Sequence, residues 1–138
     1  MADMDRTPDH RDVTLRSMDD YGRQLKRALE GLSLEEARWM PTSESNHILW
    51  ILWHMGRMED MWAWYLRGDG PSAWIEGGWA ERLGIDPGRN GVGDSIEQVR
   101  DFPDVSIEEV MSYWQASRDL LIPAVEGVTA DMFGIKRP

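Results

Sequence analysis

Residues 46–68, NHILWILWHMGRMEDMWAWYLRG, hold four of the eight tryptophans and two of the three histidines in the chain. No other segment is as apolar. Asn46 is a suitable N-cap and Gly68 a suitable stop, so the pattern predicts a single helix over residues 47–67. On a helical wheel, Ile48, Ile51, Met55, Met58, Trp62 and Leu66 gather on one side, and Trp53 and Trp64 fall on the opposite side. The first side is expected to be the core face. The second is expected to meet the connection that follows, or another subunit. A helix apolar on two sides has more than one neighbour, so the remaining segments are expected to pack around this one.

Those segments read as helices too. Thr7-Pro8 predicts a helix start, with proline in the first turn where its missing N–H does no harm. Leu15, Met18, Tyr21, Gly22, Leu25, Ala28, Leu29 and Leu32 then recur every three or four residues, with charged residues opposite. Ser33-x-x-Glu36 is a capping-box pattern that opens a short turn over residues 34–38, and Pro41 ends it by forcing extended backbone before it. A second such box, Ser106-x-x-Glu109, opens a helix reaching to about residue 125. Its inner face is Ile107, Val110, Trp114, Ser117, Leu121 and Val125. Pro123 is expected to kink that helix or end it early. Residues 68–105 form a long connection with eight glycines and three prolines. Trp74 and Trp79 are its expected anchors, with short helices over residues 79–83 and 95–100. There is no alternating strand pattern and no repeat. The reading is an all-α helical bundle, with residues 1–138 as one domain.

Composition narrows the chemistry. The chain has no cysteine, which excludes disulfides and thiolate ligands. No apolar run is long enough to span a bilayer, because residues 48–66 are interrupted by His54, Arg57, Glu59 and Asp60. The N-terminal residues lack the apolar core of a secretory signal, so the expected location is cytoplasmic. The net charge of −10 repels phosphate backbones and anionic lipid, so neither nucleic acid nor a membrane is an expected partner.

Three histidines remain as candidate ligands. By position alone, His54 reads first as a buried, hydrogen-bonded core residue and second as a metal ligand. His47 lies seven residues earlier, about 10.5 Å of helical rise away, too far to share one ion with it. His47 is expected at the start of the helix, and His10 is expected to be exposed. Met55, Met58 and Met61 suit flexible core filling better than soft-metal ligation. No carboxylate falls on the expected inward stripes of the first and third helices, and Glu59 and Asp60 are expected on the wrong sides of the central helix. Spacing therefore supplies one ligand where a catalytic zinc-type site needs about three. No phosphate-binding loop or nucleophile elbow is present, since GVGDS follows a turn rather than a strand.

The run LSLEEARWMPTSESNHILWILWHMGRMEDMWAWYLRG resembles the first helix-loop-helix of the DinB-like (YfiT-like) superfamily of proposed metalloenzymes. The likeness rests on the Leu-Ser-x-Glu turn at residues 32–36, the tryptophan and proline at Trp39 and Pro41, and LWHMGRMED at residues 52–60. It extends through the long connection to about Phe133. The resemblance implies a four-helix bundle with a long crossover between the second and third helices. It implies that His54 matches a ligand to a divalent metal such as zinc, nickel or iron. It further implies a transferase or hydrolase that uses a low-molecular-weight thiol or another small-molecule substrate. The family's other ligands usually come as His-x-x-x-His on the fourth helix, and no histidine follows His54 here. The expectation is therefore a missing fourth helix: a truncated product, a degenerate member, or a site completed by another chain. A bundle short of one helix exposes an apolar groove, so a homodimer is expected. The alternative is a non-catalytic helical module that acts through dimerisation or binding.

Overall fold

A computed structural model describes residues 6–136, and among them every regular element is helical. Three helices of 20 residues each dominate: α1 (His10–Leu29), α3 (Ile48–Arg67) and α7 (Ile107–Glu126). Between them lie α2 (Leu34–Ala37), α4 (Ala73–Glu76), α5 (Trp79–Leu83) and α6 (Ile96–Arg100), and a 3-10 turn at Ala130–Met132 follows α7.

The pairing of side chains fixes the directions. Gly56 lies against Tyr113, Glu59 bonds Arg118, and Ala63 packs with Leu121 and Val125. Residue numbers rise together, so α3 and α7 are parallel. Helix α1 is antiparallel to α7: Arg11 reaches the Glu126 carbonyl, whereas the Met18 carbonyl accepts from Arg118. Each helix is about 30 Å long. The chain must therefore travel back by that length before α7 can begin, which accounts for the long connection. That connection is packed rather than loose. Trp74, Trp79, Leu83, Ile85, Val99 and Phe102 are all buried and share one core with α3 and α7.

Local sequence explains the ends of the elements. Ser33, Ser95 and Ser106 each form a capping box, with Glu36, Gln98 and Glu109. Each box satisfies donors that the first helical turn leaves unpaired. Helix α1 starts from a capping box between Asp9 and Asp12, two residues after the expected Thr7-Pro8 start. Helix α3 starts one residue later than expected. His47, not Asn46, is its N-cap, and its Nδ1 accepts from Trp50 N at 3.1 Å. Gly68 ends α3 in the left-handed conformation, as its position predicts. Pro123 does not end α7, which continues to Glu126, and Gly127 N bonds Pro123 O at 3.0 Å. Pro123 and Asp119 are both exposed. The Asp119 carbonyl, left without its helical donor by the proline, can therefore turn to water.

The expected inner face of α7 is buried throughout. The expected core face of α3 is not. Ile48, Ile51 and Trp62 are 40%, 39% and 53% exposed. Against α7, α3 presents Leu49, Leu52, Gly56, Asp60 and Ala63, all buried. Gly56 lets the helices come close, because a Cβ there would stand 2.9 Å from Tyr113 Cε1. Trp53, on the side expected to meet the connection, is fully buried there against Trp74 and Phe102. Helix α3 thus has three apolar sides: one on α7, one on the crossover, and one largely open.

Both acids of α3 are engaged on the buried side. The Asp60 carboxylate accepts from Ala73 N and Trp74 N at 2.8 Å each and from Tyr113 Oη at 2.9 Å. It thereby ties α4 and α7 to α3. Burial, then the charge of Asp60, pushes the Tyr113 phenol well above its usual range. Glu59 bonds Arg118 and Trp114 Nε1, and Arg118 also bonds the Met18 carbonyl, so all three long helices share one charged network.

A candidate metal-ligand site at His54

His54 lies on the side of α3 that faces away from α7, half-buried beneath residues 86–94 of the crossover. Its ring stacks on Trp50, one turn earlier, with centroids 4.9 Å apart and 15° between planes. Its Nδ1 is 2.7 Å from the Asn90 carbonyl. A carbonyl only accepts, so Nδ1 carries the proton and the neutral ring keeps its lone pair on Nε2. Metal-ligating histidines are commonly oriented in this way, by a backbone carbonyl on the other ring nitrogen.

The crossover is held over the ring by side chains from below. Trp50 Nε1 donates to Asp94 at 3.0 Å, Arg57 Nε to the Arg89 carbonyl at 3.0 Å, and Trp74 Nε1 to the Pro87 carbonyl at 3.0 Å. Arg89 closes the turn onto Asp94 at 2.6 Å. Burial raises the Asp94 pKa, but the bonds from Arg89 and Trp50 and the charge of Arg89 outweigh it and leave it below the usual range. Gly91 sits directly on the imidazole with φ at +94°, and a Cβ there would collide with Nδ1. Both the backbone angle and the space require glycine.

The other two histidines are committed elsewhere. His47 is buried, and both its nitrogens are used: Nδ1 accepts from Trp50 N, and Nε2 donates to the Val99 carbonyl at 2.8 Å. It caps α3 and pins α6, so it is unavailable as a ligand. His10 is exposed, edge-on to Phe133. Glu59 and Asp60 bond protein donors on the buried side, away from His54. Among the described residues, no three His, Cys, Asp or Glu side chains form a group that could hold a metal ion. One imidazole falls short of the three protein ligands of a catalytic metal. The described residues do not by themselves build the metal centre that the resemblance implied.

Trp50, Arg57, Asn90 and Asp94 surround His54 and did not emerge from the sequence as a group. Trp50 and Arg57 carry a weak signal, lying four residues before and three after His54 on one helical face. The contribution of Asn90 is its backbone carbonyl, which no residue type encodes.

Beside the site lies the open side of α3, where Ile48, Ile51 and Trp62 are exposed and Met55 and Met58 half-buried. Tyr21 of α1 reaches this side and donates to Met55 Sδ at 3.3 Å. Among the described residues, no helix is long and apolar enough to cross a membrane.

Comparison with known proteins agrees with this architecture. The family model of the DinB superfamily matches residues 18–137. A solved structure, that of a conserved protein from Enterococcus faecalis, superposes with a TM-score of 0.77 at 18% identity, covering 91% of this chain and 75% of that one. At that identity the likeness concerns the fold. No curated protein matches the chain. With the all-helical fold and the match over most of its length, the chain belongs to the DinB superfamily.

Proposed function

We propose that the protein is a metal-dependent enzyme of the DinB kind, a transferase or hydrolase acting on a low-molecular-weight thiol or other small molecule. In this proposal His54 Nε2 is one ligand to a divalent zinc, nickel or iron ion. The observation that carries it is the Nδ1–H···O=C bond to Asn90, which leaves the lone pair of the ring on Nε2. The remaining ligands come from whatever covers the open side of α3, because that side adjoins His54 on the helix. In the proposed homodimer, a second copy covers it. A site of this kind would need all its ligands together before it could acidify a bound thiol or water.

A second reading is a non-catalytic helical module that acts through dimerisation or binding. Elemental analysis of protein purified without chelator separates the two. The enzyme reading expects stoichiometric zinc, nickel or iron that is lost in His54→Ala while the protein remains folded. Wild-type protein free of metal would reject it in favour of the module, and metal retained in His54→Ala would reject His54 as a ligand.

A further inference from the structure

A cavity of about 380 Å³ opens between α3 and the crossover, next to His54 but separate from it. Arg57, Met61 and Trp64 contribute one face, and Pro71, Ile75 and Asn90 another. Its size lies within the range of small-molecule sites. We infer that this cavity binds a small carboxylate with an apolar, preferably aromatic, body, with Arg57 as the anionic anchor and Asn90 as a second donor.

The polar end is organised before any ligand arrives. The Arg57 guanidinium lies 4.4 Å over the Trp74 ring, and its Nε is fixed on the Arg89 carbonyl. This holds the plane of the group at the cavity wall, where its charge also acts on the Tyr113 phenol. Arg57 Nη1 approaches Asp60 only at 4.0 Å, beyond hydrogen-bond range. Asp60 also borders the cavity, but its charge is already met by two backbone N–H groups and the Tyr113 hydroxyl. Asn90 Oδ1 accepts from Val92 N, so its amide N–H groups are the donors left over. Guanidinium and amide together suit a carboxylate better than a neutral amide, because charge-assisted bonds are about twice as strong as neutral ones.

The other walls are apolar and open to solvent. Met61, Trp64 and Ile75 are 45%, 36% and 72% exposed, although they stand around one cavity. An indole at the edge of a cavity offers a flat surface on which an aromatic body can lie. The net charge of −10 does not attract anions from a distance. Recognition must therefore be local to Arg57, within about 10 Å at ordinary salt.

The test uses metal-free protein in chelator, so its outcome is independent of any metal at His54. Phenylacetate and phenylacetamide are titrated against ¹⁵N-labelled protein. Phenylacetate is expected to give saturable shifts at the Asn90 side-chain amide and the Trp64 indole, with phenylacetamide weaker by about tenfold. Ile75→Glu, at an exposed rim position that folding does not depend on, should weaken phenylacetate severalfold and phenylacetamide little. Arg57→Lys, which keeps charge but not the paired donors, should weaken phenylacetate with the fold retained. Equal binding of acid and amide, no saturable shift at these groups, or indifference to Ile75→Glu would each overturn the assignment.

Discussion

Arg118 of α7 and Glu59 of α3 meet through two hydrogen bonds of 2.7 Å, Nε to Oε2 and Nη2 to Oε1. The side chains are 6% and 13% exposed. Arg118 Nη1 continues to the Met18 carbonyl, and Gly22 of α1 makes room for the guanidinium beside Trp114. Removing one partner strands the other charge out of water. Arg118→Ala should therefore cost about 3–5 kcal/mol in urea unfolding. Replacing both partners with apolar residues of similar volume, Arg118→Met with Glu59→Leu, should cost clearly less than either single change. A double variant as unstable as the sum of the singles would argue against a mutually compensated pair.

His47 links stability to pH. Burial, which disfavours the charged ring, lowers its pKa; the Val99 bond opposes this and the charge of Arg38 adds to it. The folded state thus resists a proton that the unfolded chain accepts near pH 6.5. The stabilisation is complete above about pH 6.5 and is lost as pH falls from there through the lowered folded value. His47→Asn keeps a capping side chain but cannot titrate. In urea melts at pH 8 and pH 5, the wild type should lose more stability on acidification than His47→Asn does. Equal losses would mean that His47 is not strained by its proton.

Gly91 has no room for a side chain. Gly91→Ala places a Cβ on the imidazole of His54 at a φ of +94°. The backbone conformation alone should cost about 1–3 kcal/mol. The Asn90–His54 bond should also be disturbed, read as a shift of the His54 ring resonances out of proportion to those of His10.

The open side of α3 predicts self-association. Light scattering should report a dimer at micromolar concentration, and Trp62→Glu should convert it to a monomer. Because Trp62 is about half exposed, the monomer should keep its helical content. A wild-type monomer at all concentrations would remove the proposed partner.

How far the fold can be read from residues depends on how one-sided each helix is. Helix α7 is apolar on one face, and its inner residues follow from spacing alone. Capping boxes are local and equally plain. Helix α3 is apolar on three sides, so periodicity cannot choose which of them meets α7. Gly56 and Asp60 decide it, one by letting Tyr113 approach and the other by accepting three donors, and neither looks like a core residue by type. Helix α4 is four residues long and held by the Asp60 carboxylate, a tertiary cause invisible in the local sequence. Position alone left His54 a core residue first and a metal ligand second, and the family likeness reversed that order. The carbonyl that orients His54 belongs to a residue 36 positions away.

The tautomer of His54 is the most direct test of the central claim. In ¹⁵N NMR of the imidazoles, metal-free protein should show His54 protonated at Nδ1 and bare at Nε2. Zinc or nickel should then perturb Nε2 while the proton stays on Nδ1, bonded to the Asn90 carbonyl. A proton resting on Nε2, or a His54 ring untouched by either ion, would contradict the assignment of His54 as a metal ligand.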